Sequence, residues 1–370
     1  MTLPTLKSLS PILTVLSIAG LALGGCGSNE SIPSPSLGGA LPAATADLAL
    51  SDLGDTSVTS LDLTTSAEYD TASNEVRIFA LVTDQTGARV GPLNEYNFGV
   101  TLNPKTVARK LDPELTTLST AVSSDKVVAL VIDSSGSMTA TTETDETRME
   151  VAKEAARLFV DLMAGGDRTA IVDFDDAARI AQQLTDDPVL LNAAIDLFSA
   201  DGATNLGAAM SEAVRAVGTR PGKRAAILLT DGDDTVDTVT GGPAVWLNNS
   251  ASVRGQGLKL AKDSGLVIFT VGLGQDLSET GLADLRAIAT QTGGQFFQAP
   301  TAGALLTAFS VTVPNAVAAL PPAETYLLTY ESSILASPGQ ILDIPYLLTV
   351  VYKNAVAVHR AKFNGTYTVR

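Results

Sequence analysis

The chain has 370 residues, enough for two compact domains or one elaborated one. Its net charge of −16 and pI near 4.4 argue against nucleic acid as a partner, because neutralising phosphate needs Lys and Arg in excess. Charged residues are only 17% of the chain, below the usual quarter, while Ser, Thr, Ala and Gly are plentiful, so a hydroxyl-rich surface of the kind that fits an exported protein is expected.

At the N-terminus, Lys7 precedes a largely apolar stretch from Ile12 to Leu23 that ends in Leu23-Gly24-Gly25-Cys26. The stretch is too short for an ordinary spanning helix, and residues 1–25 resemble a bacterial lipoprotein signal peptide. That resemblance implies that Cys26 becomes the lipidated first residue of the mature chain. Gly27 after it, in place of Asp, implies sorting to the outer membrane. Cys26 is the single cysteine, which excludes internal disulfides and CxxC metal sites. Residues 26–50, with Ser31-Ile32-Pro33-Ser34-Pro35-Ser36 and Gly38-Gly39-Ala40-Leu41-Pro42-Ala43, read as a flexible tether of low complexity. Residues 51–125 then alternate in short β-like runs, clearest at Glu75–Thr83 and Tyr96–Leu102, with a turn at Asp84–Gly87.

From 126 to 318 the texture becomes alternating strands and helices. Val127-Val128-Ala129-Leu130-Val131-Ile132 is continuously apolar, the pattern of a central strand covered on both faces. Thr147–Ala164 predicts an amphipathic helix with Met149, Ala152, Ala156, Phe159, Val160 and Met163 on one stripe, stopped by Gly165-Gly166. Further strands are expected at Thr169–Phe174, Arg224–Thr230 and Leu266–Val271, and helices at Asn205–Val217, about Ala251–Ser264, and Glu279–Thr292. Repeated βαβ units specify a doubly wound, mostly parallel, Rossmann-like α/β sheet with right-handed crossovers.

After Pro321-Pro322, residues 319–370 return to strand texture at Thr325–Tyr330, Tyr346–Val351 and Ala355–Ala361, with turns at Lys353-Asn354 and Asn364-Gly365. Neither β flank alone offers enough strands to bury two faces. The flanks are therefore expected to pair as one discontinuous all-β sandwich with the α/β domain inserted; two separate small β modules are the alternative.

The strand Val127–Ile132 runs into Asp133-Ser134-Ser135-Gly136-Ser137. Carboxylate and hydroxyl oxygens suit Mg²⁺, Mn²⁺ or Ca²⁺ better than zinc or copper. Alone, Asp-x-Ser-x-Ser is weak, with roughly 0.1 chance matches in a chain this long. Context strengthens it, because ligands of open parallel sheets bind beyond the carboxyl ends of the strands, and Arg224–Thr230 likewise ends in Asp231-Gly232. The loop Asp201-Gly202-Ala203-Thr204-Asn205 runs into a helix, where Thr204 either caps the helix or offers its hydroxyl to a metal. Asp231–Asp237 resembles the start of an EF-hand loop, but Val236 stands where Gly is required and Gly242 where Glu is needed. Asp233 and Asp234 read as solvated, Asp173, Asp175 and Asp176 as an exposed loop, and His359 as a structural residue.

Together these motifs resemble a von Willebrand factor type A domain with a complete metal-ion-dependent adhesion site, over residues 126–318. The resemblance implies that Ser135 and Ser137 bind the metal directly, Thr204 directly in one state and through water in another, and Asp133 and Asp231 mostly through water and by charge. It implies Mg²⁺ or Mn²⁺, with Ca²⁺ less comfortable, and a protein ligand whose carboxylate completes the shell. Hydroxyls supply oxygen without cancelling the ion's charge, so the ion stays electrophilic. The expected function is adhesion or protein–protein interaction on the bacterial envelope by a lipid-anchored protein that is not an enzyme. The alternatives are an envelope scaffold with an incidental metal and a Mg²⁺-dependent hydrolase. Against the latter, the sequence has no GxSxG elbow around Ser135 or Ser137, no Walker loop and no His near the motif.

Overall fold

A computed structural model describes residues 58–70, 73, 75–94, 97–102, 115–121, 123–331, 345–353, 358–366 and 368–369. The signal-peptide, tether and Cys26 readings lie outside the described residues. Strands β1 (Leu61–Asp70), β2 (Glu75–Asp84), β3 (Phe98–Leu102) and β4 (Leu115–Ala121) come first. An α/β segment follows as β5 (Lys126–Asp133), α1 (Arg148–Asp161), β6 (Arg168–Phe174), β7 (Ala178–Thr185), α2 (Pro188–Asp196), α3 (Leu206–Val217) and β8 (Lys223–Thr230). It continues through α4 (Pro243–Trp246), α5 (Val253–Asp263), β9 (Val267–Leu273), α6 (Glu279–Thr292), β10 (Phe296–Ala299), α7 (Ala302–Thr307) and α8 (Val313–Ala318). Strands β11 (Thr325–Glu331), β12 (Pro345–Lys353), β13 (Val358–Thr366) and β14 (Thr368–Val369) close the chain. Among the described residues no helix is long and apolar enough to cross a membrane.

The α/β segment forms one six-stranded sheet in the order β10-β9-β8-β5-β6-β7. All pairings are parallel except that of the edge strand β7, which returns antiparallel along β6. The mostly parallel, doubly wound expectation therefore holds. Alternate residues of β5 feed two cores, as a period of two requires. Val128, Leu130 and Ile132 pack with α1, α2, α7 and α8, while Val127, Ala129 and Val131 pack with α3, α5 and α6. The predicted stripe of α1 is buried in the first core, with Met163 at its margin. A capping box starts that helix: Glu150 N–H donates to Thr147 Oγ1 at 3.1 Å and Thr147 N–H to Glu150 Oε2 at 2.7 Å.

The helical run from Ala302 to Ala318 is absent from the sequence reading. It contains Pro314, which cannot donate a hydrogen bond and crowds the preceding turn, and a π-turn at Ala308–Thr312 precedes it.

The β flanks pair with each other. β11 sits between β2 and β4, β12 pairs with β3, and β14 runs parallel to β1. The five- and three-stranded sheets share one core, in which Ile78, Ala80, Val82, Tyr326 and Leu328 meet Tyr346, Leu348 and Val350. The hydroxyls of Thr65 and Tyr346 bridge the sheets at 2.7 Å. The turn expected at Asn364-Gly365 is not one: both residues lie inside β13, opposite Leu347 and Tyr346, because pairing along β12 outweighs their local turn preference.

This β unit meets the α/β segment at the α3–β8 connection, the amino end of the parallel sheet. Thr219 N–H donates to Ser66 Oγ at 3.1 Å, Thr219 Oγ1 donates to Phe79 O at 2.6 Å, and Arg220 pairs with Glu68 at 2.6 Å. Nearby, Arg224 is buried, and desolvation pushes its guanidinium down to about 10. It donates to Gly218 O and Ser264 O, the carbonyls at the ends of α3 and α5, where helix dipoles favour a cation.

Candidate functional site

The strand order reverses between β5 and β8, because the chain leaves β5 for β6 and β7 on one side and returns to β8 on the other. A crevice at the carboxyl ends is the geometric consequence of that reversal. Asp133 ends β5 and Asp231 follows β8, so both reach this switch point.

Three loops are laced together there. Ser134 N–H donates to Phe174 O at 2.7 Å, and its hydroxyl donates to Asp173. Asp201 N–H donates to Ser134 O at 2.7 Å and Gly136 N–H to Gly202 O at 3.0 Å, which joins the Thr204 loop to the Asp133 turn. Thr235 N–H donates to Thr204 O at 2.9 Å, and Thr204 N–H to Thr235 Oγ1 at 3.0 Å, which joins the same loop to the one after β8. The helix cap falls to Asn205, whose Oδ1 accepts from Ala208 N–H at 2.9 Å. The Thr204 hydroxyl thus has no capping role. It faces Gly232 together with Ser137: a Cβ on Gly232 would lie 3.5 Å from Thr204 Oγ1 and 3.6 Å from Ser137 Oγ.

The five residues singled out in the sequence form one cluster. Ser135 Oγ and Ser137 Oγ are 3.0 Å apart, and Ser137 Oγ donates to Asp231 Oδ1 at 2.6 Å. Asp133 Oδ1 accepts from Ser135 N–H at 2.8 Å and Oδ2 from the Thr230 hydroxyl at 2.5 Å. Asp133, Ser135, Thr204 and Asp231 are buried, and Ser137 stands exposed at the lip. Burial pushes the Asp133 carboxyl up to about 7; the Asp231 charge adds to this, and hydrogen bonds from Thr230 and Ser135 oppose it. Among the described residues no group of three or more His, Cys, Asp or Glu side chains is placed to hold a metal ion. The donors that converge are two carboxylates and three hydroxyls, a set that suits a hard cation. A groove of about 490 Å³ along Phe296, Phe297, Gln298, Ala304 and Thr307 lies apart from the cluster.

Sequence reasoning missed three neighbours. Thr230 holds Asp133, Ser134 ties the turn to β6, and Arg148 at the start of α1 donates from Nη1 to Asp231 Oδ2 at 2.7 Å while Nη2 pairs with Asp276. The reading of Asp233 and Asp234 as solvated is corrected. Asp234 is enclosed and accepts from Leu206 N–H at 3.0 Å, and Asp233 accepts from Ser278 N–H at 3.3 Å at the start of α6. Asp234 belongs to a buried network with Asp237 and Asp284 around Arg254, which also lies 5.4 Å from the Trp246 ring centroid. Asp173 is likewise buried against Ser134 and Arg179, and Asp176 Oδ1 accepts from Ala203 N–H at 2.8 Å, so both brace loops instead of lying free. The His359 side chain lies outside what is described.

A doubly wound domain with this constellation at its switch point is a recognisable class. Residues 128–233 match the family model of the von Willebrand factor type A domain, and the α/β segment has that fold. In sequence the chain is 31% identical over 196 residues to the calcium-activated chloride channel regulator 1 of Bos taurus, covering 50% of this chain and 19% of that protein. It is 26% identical over 195 residues to a UPF0353 protein of Mycobacterium ulcerans, covering 47% of this chain and 56% of that protein. The chain thus spans about a fifth and about half of the lengths of these two curated relatives. Among solved structures, a von Willebrand factor type A protein from Catenulispora acidiphila is similar at 18% identity and a TM-score of 0.44, over 84% of this chain and 73% of that one.

Proposed function

We propose that the α/β domain is a divalent-cation-dependent protein-binding module of the adhesion-site type, carried by a lipid-anchored protein of the bacterial envelope. The observation that carries this reading is the convergence of Asp133, Ser135, Ser137, Thr204 and Asp231, all oxygen donors, at the sheet's switch point. The Ser135, Ser137 and Thr204 hydroxyls would hold Mg²⁺ or Mn²⁺, with Ca²⁺ less suited, and Asp133 and Asp231 would supply charge. A bound cation supplies Lewis acidity toward one further oxygen, for which a partner's carboxylate is the natural ligand. Such an ion would compensate the Asp133 carboxylate, whose charge burial disfavours and the neighbouring Asp231 charge disfavours further.

A binding role suits these residues better than hydrolysis does. The chain has no GxSxG elbow around Ser135 or Ser137, no Walker loop, and its one His, His359, lies far along the chain, so the usual nucleophile and imidazole base do not accompany the five donors. The β unit joins the opposite end of the sheet, which leaves the candidate surface open to a partner.

The test is capture of a partner from envelope extract by residues 27–370, in Mg²⁺ and in EDTA. Capture is expected in Mg²⁺ alone and should be lost on Ser135→Ala, which removes one hydroxyl and leaves the Ser135 N–H bond to Asp133 intact. Capture that survives both EDTA and the substitution would favour the scaffold reading. For the anchor, Cys26→Ser in the full chain is expected to block processing and shift the protein out of the outer-membrane fraction. Unaltered processing and fractionation would overturn that part.

A further inference from the structure

We infer that Arg148 sets the charge that a cation meets at this site: it orients Asp231 and cancels its charge, leaving a bound ion in need of an outside carboxylate. This rests on the proposed cation site and adds a positioning residue to it.

The placement of Arg148 is specific. Its side chain is only 11% exposed, and the guanidinium bridges Asp231, which is fully enclosed, and Asp276, which is 72% exposed. The backbone beneath it is fixed by Arg148 N–H donating to Ala140 O at 2.8 Å and by the capping box at Thr147. The loop after β9 lies against the guanidinium: a Cβ on Gly274 would sit 3.2 Å from Nη2 and 3.3 Å from Cζ, at a φ of +84° that already favours glycine. Asp231 is held on both sides, with Oδ1 toward Ser137 and Oδ2 toward Arg148.

The charges then decide the chemistry. Asp133 and Asp231 together would neutralise a divalent ion, and a partner's carboxylate would bring surplus negative charge. With Arg148 paired to Asp231, the donor set carries one net negative charge, the loaded site is net positive, and a carboxylate ligand restores balance. Asp276 is largely solvated, so water screens it more than the enclosed pair. Arg148 therefore lowers affinity for the cation and raises affinity for the ligand. A residue that merely braced the fold would not move these two quantities in opposite directions.

The test uses the full chain, with Mn²⁺ alone followed by Mn²⁺ plus acetate as the carboxylate probe, both by calorimetry. Arg148→Gln is expected to bind Mn²⁺ roughly tenfold tighter and, once loaded, to bind acetate more weakly, with Arg148→Lys between it and the wild type. Asp276→Asn alters an exposed residue outside the donor set and leaves Arg148 to Asp231 alone, so it should weaken Mn²⁺ by about threefold. Arg157→Gln, which deletes a charge farther along α1 where Arg157 pairs with Asp196, should change neither quantity. Unchanged or weaker Mn²⁺ binding by folded Arg148→Gln would overturn the inference. So would Asp276→Asn binding as tightly as the wild type. A wild-type chain that takes up no Mn²⁺ would instead overturn the cation site itself.

Discussion

Asp133→Asn is expected to stabilise the cation-free protein above neutral pH and to abolish its response to divalent cations. The carboxyl is fully buried and pushed up to about 7 by burial, whereas in an unfolded chain it ionises near about 3.9. In that interval the folded state holds a proton that the unfolded state has released. The resulting stabilisation is complete below about pH 4 and is lost as pH rises through about 7. Beyond that point the ionised group is buried beside Asp231, at a cost of at most about 4 kcal/mol. Asparagine keeps an acceptor for Ser135 N–H and carries no charge. In EDTA at pH 8 the variant should melt at least about 5 °C above the wild type, and the gap should close near pH 4. Added Mg²⁺ should then raise the wild-type midpoint by mass action and leave the variant unmoved. A wild type that melts higher than the variant in EDTA at pH 8 would mean that the protein itself compensates the Asp133 charge.

The second large effect is expected at Arg254, away from the cluster but within the same loop system. Arg254→Met would strand Asp234, Asp237 and Asp284 in a desolvated environment, and breaking such a set by removing its cation costs about 3–5 kcal/mol. Urea unfolding at pH 7 should show the loss. Burial pushes Asp234 and Asp284 up, so they protonate early as pH falls, and the deficit should shrink on acidification. Asp237 behaves differently: burial raises it, but hydrogen bonds from Ser252, Val239, and Arg254 bring it below the usual range. The variant should also bind cations more weakly, because this network anchors the loop whose Thr235 holds Thr204. Unaltered stability would mean that the three carboxylates share protons instead of depending on Arg254.

What could be read in advance was what short stretches of chain encode. The apolar run of β5 and the Asp-Gly after β8 lie at strand ends, and their meeting follows from the rules of open parallel sheets. Thr204 could be placed in a loop before a helix, but only the Asn205 cap shows that its hydroxyl is not spent on that helix. Arg148, Thr230 and Arg254 were not legible, because each acts through partners 17 to 97 positions away that no local pattern announces. The β7 strand escaped for another reason: its residues alternate between exposed and half-buried, and Gln182 and Gln183 give it no apolar signature. Asn364-Gly365 misled in the opposite direction, since a strong turn signal yielded to pairing with a neighbouring strand.

The strands that lead into and out of the α/β insertion are adjacent, and their ends, Ala121 and Thr325, are registered partners. Topologically the whole insertion is the loop of a single hairpin, with its tips about 200 positions apart. Closing so long a loop from a disordered chain is slow and entropically costly. A folded insertion changes that search, since its own packing brings the two tips together. With the α/β segment folded, β11 can enter between β2 and β4 as if across a short turn, without the closure cost of about 200 loose residues.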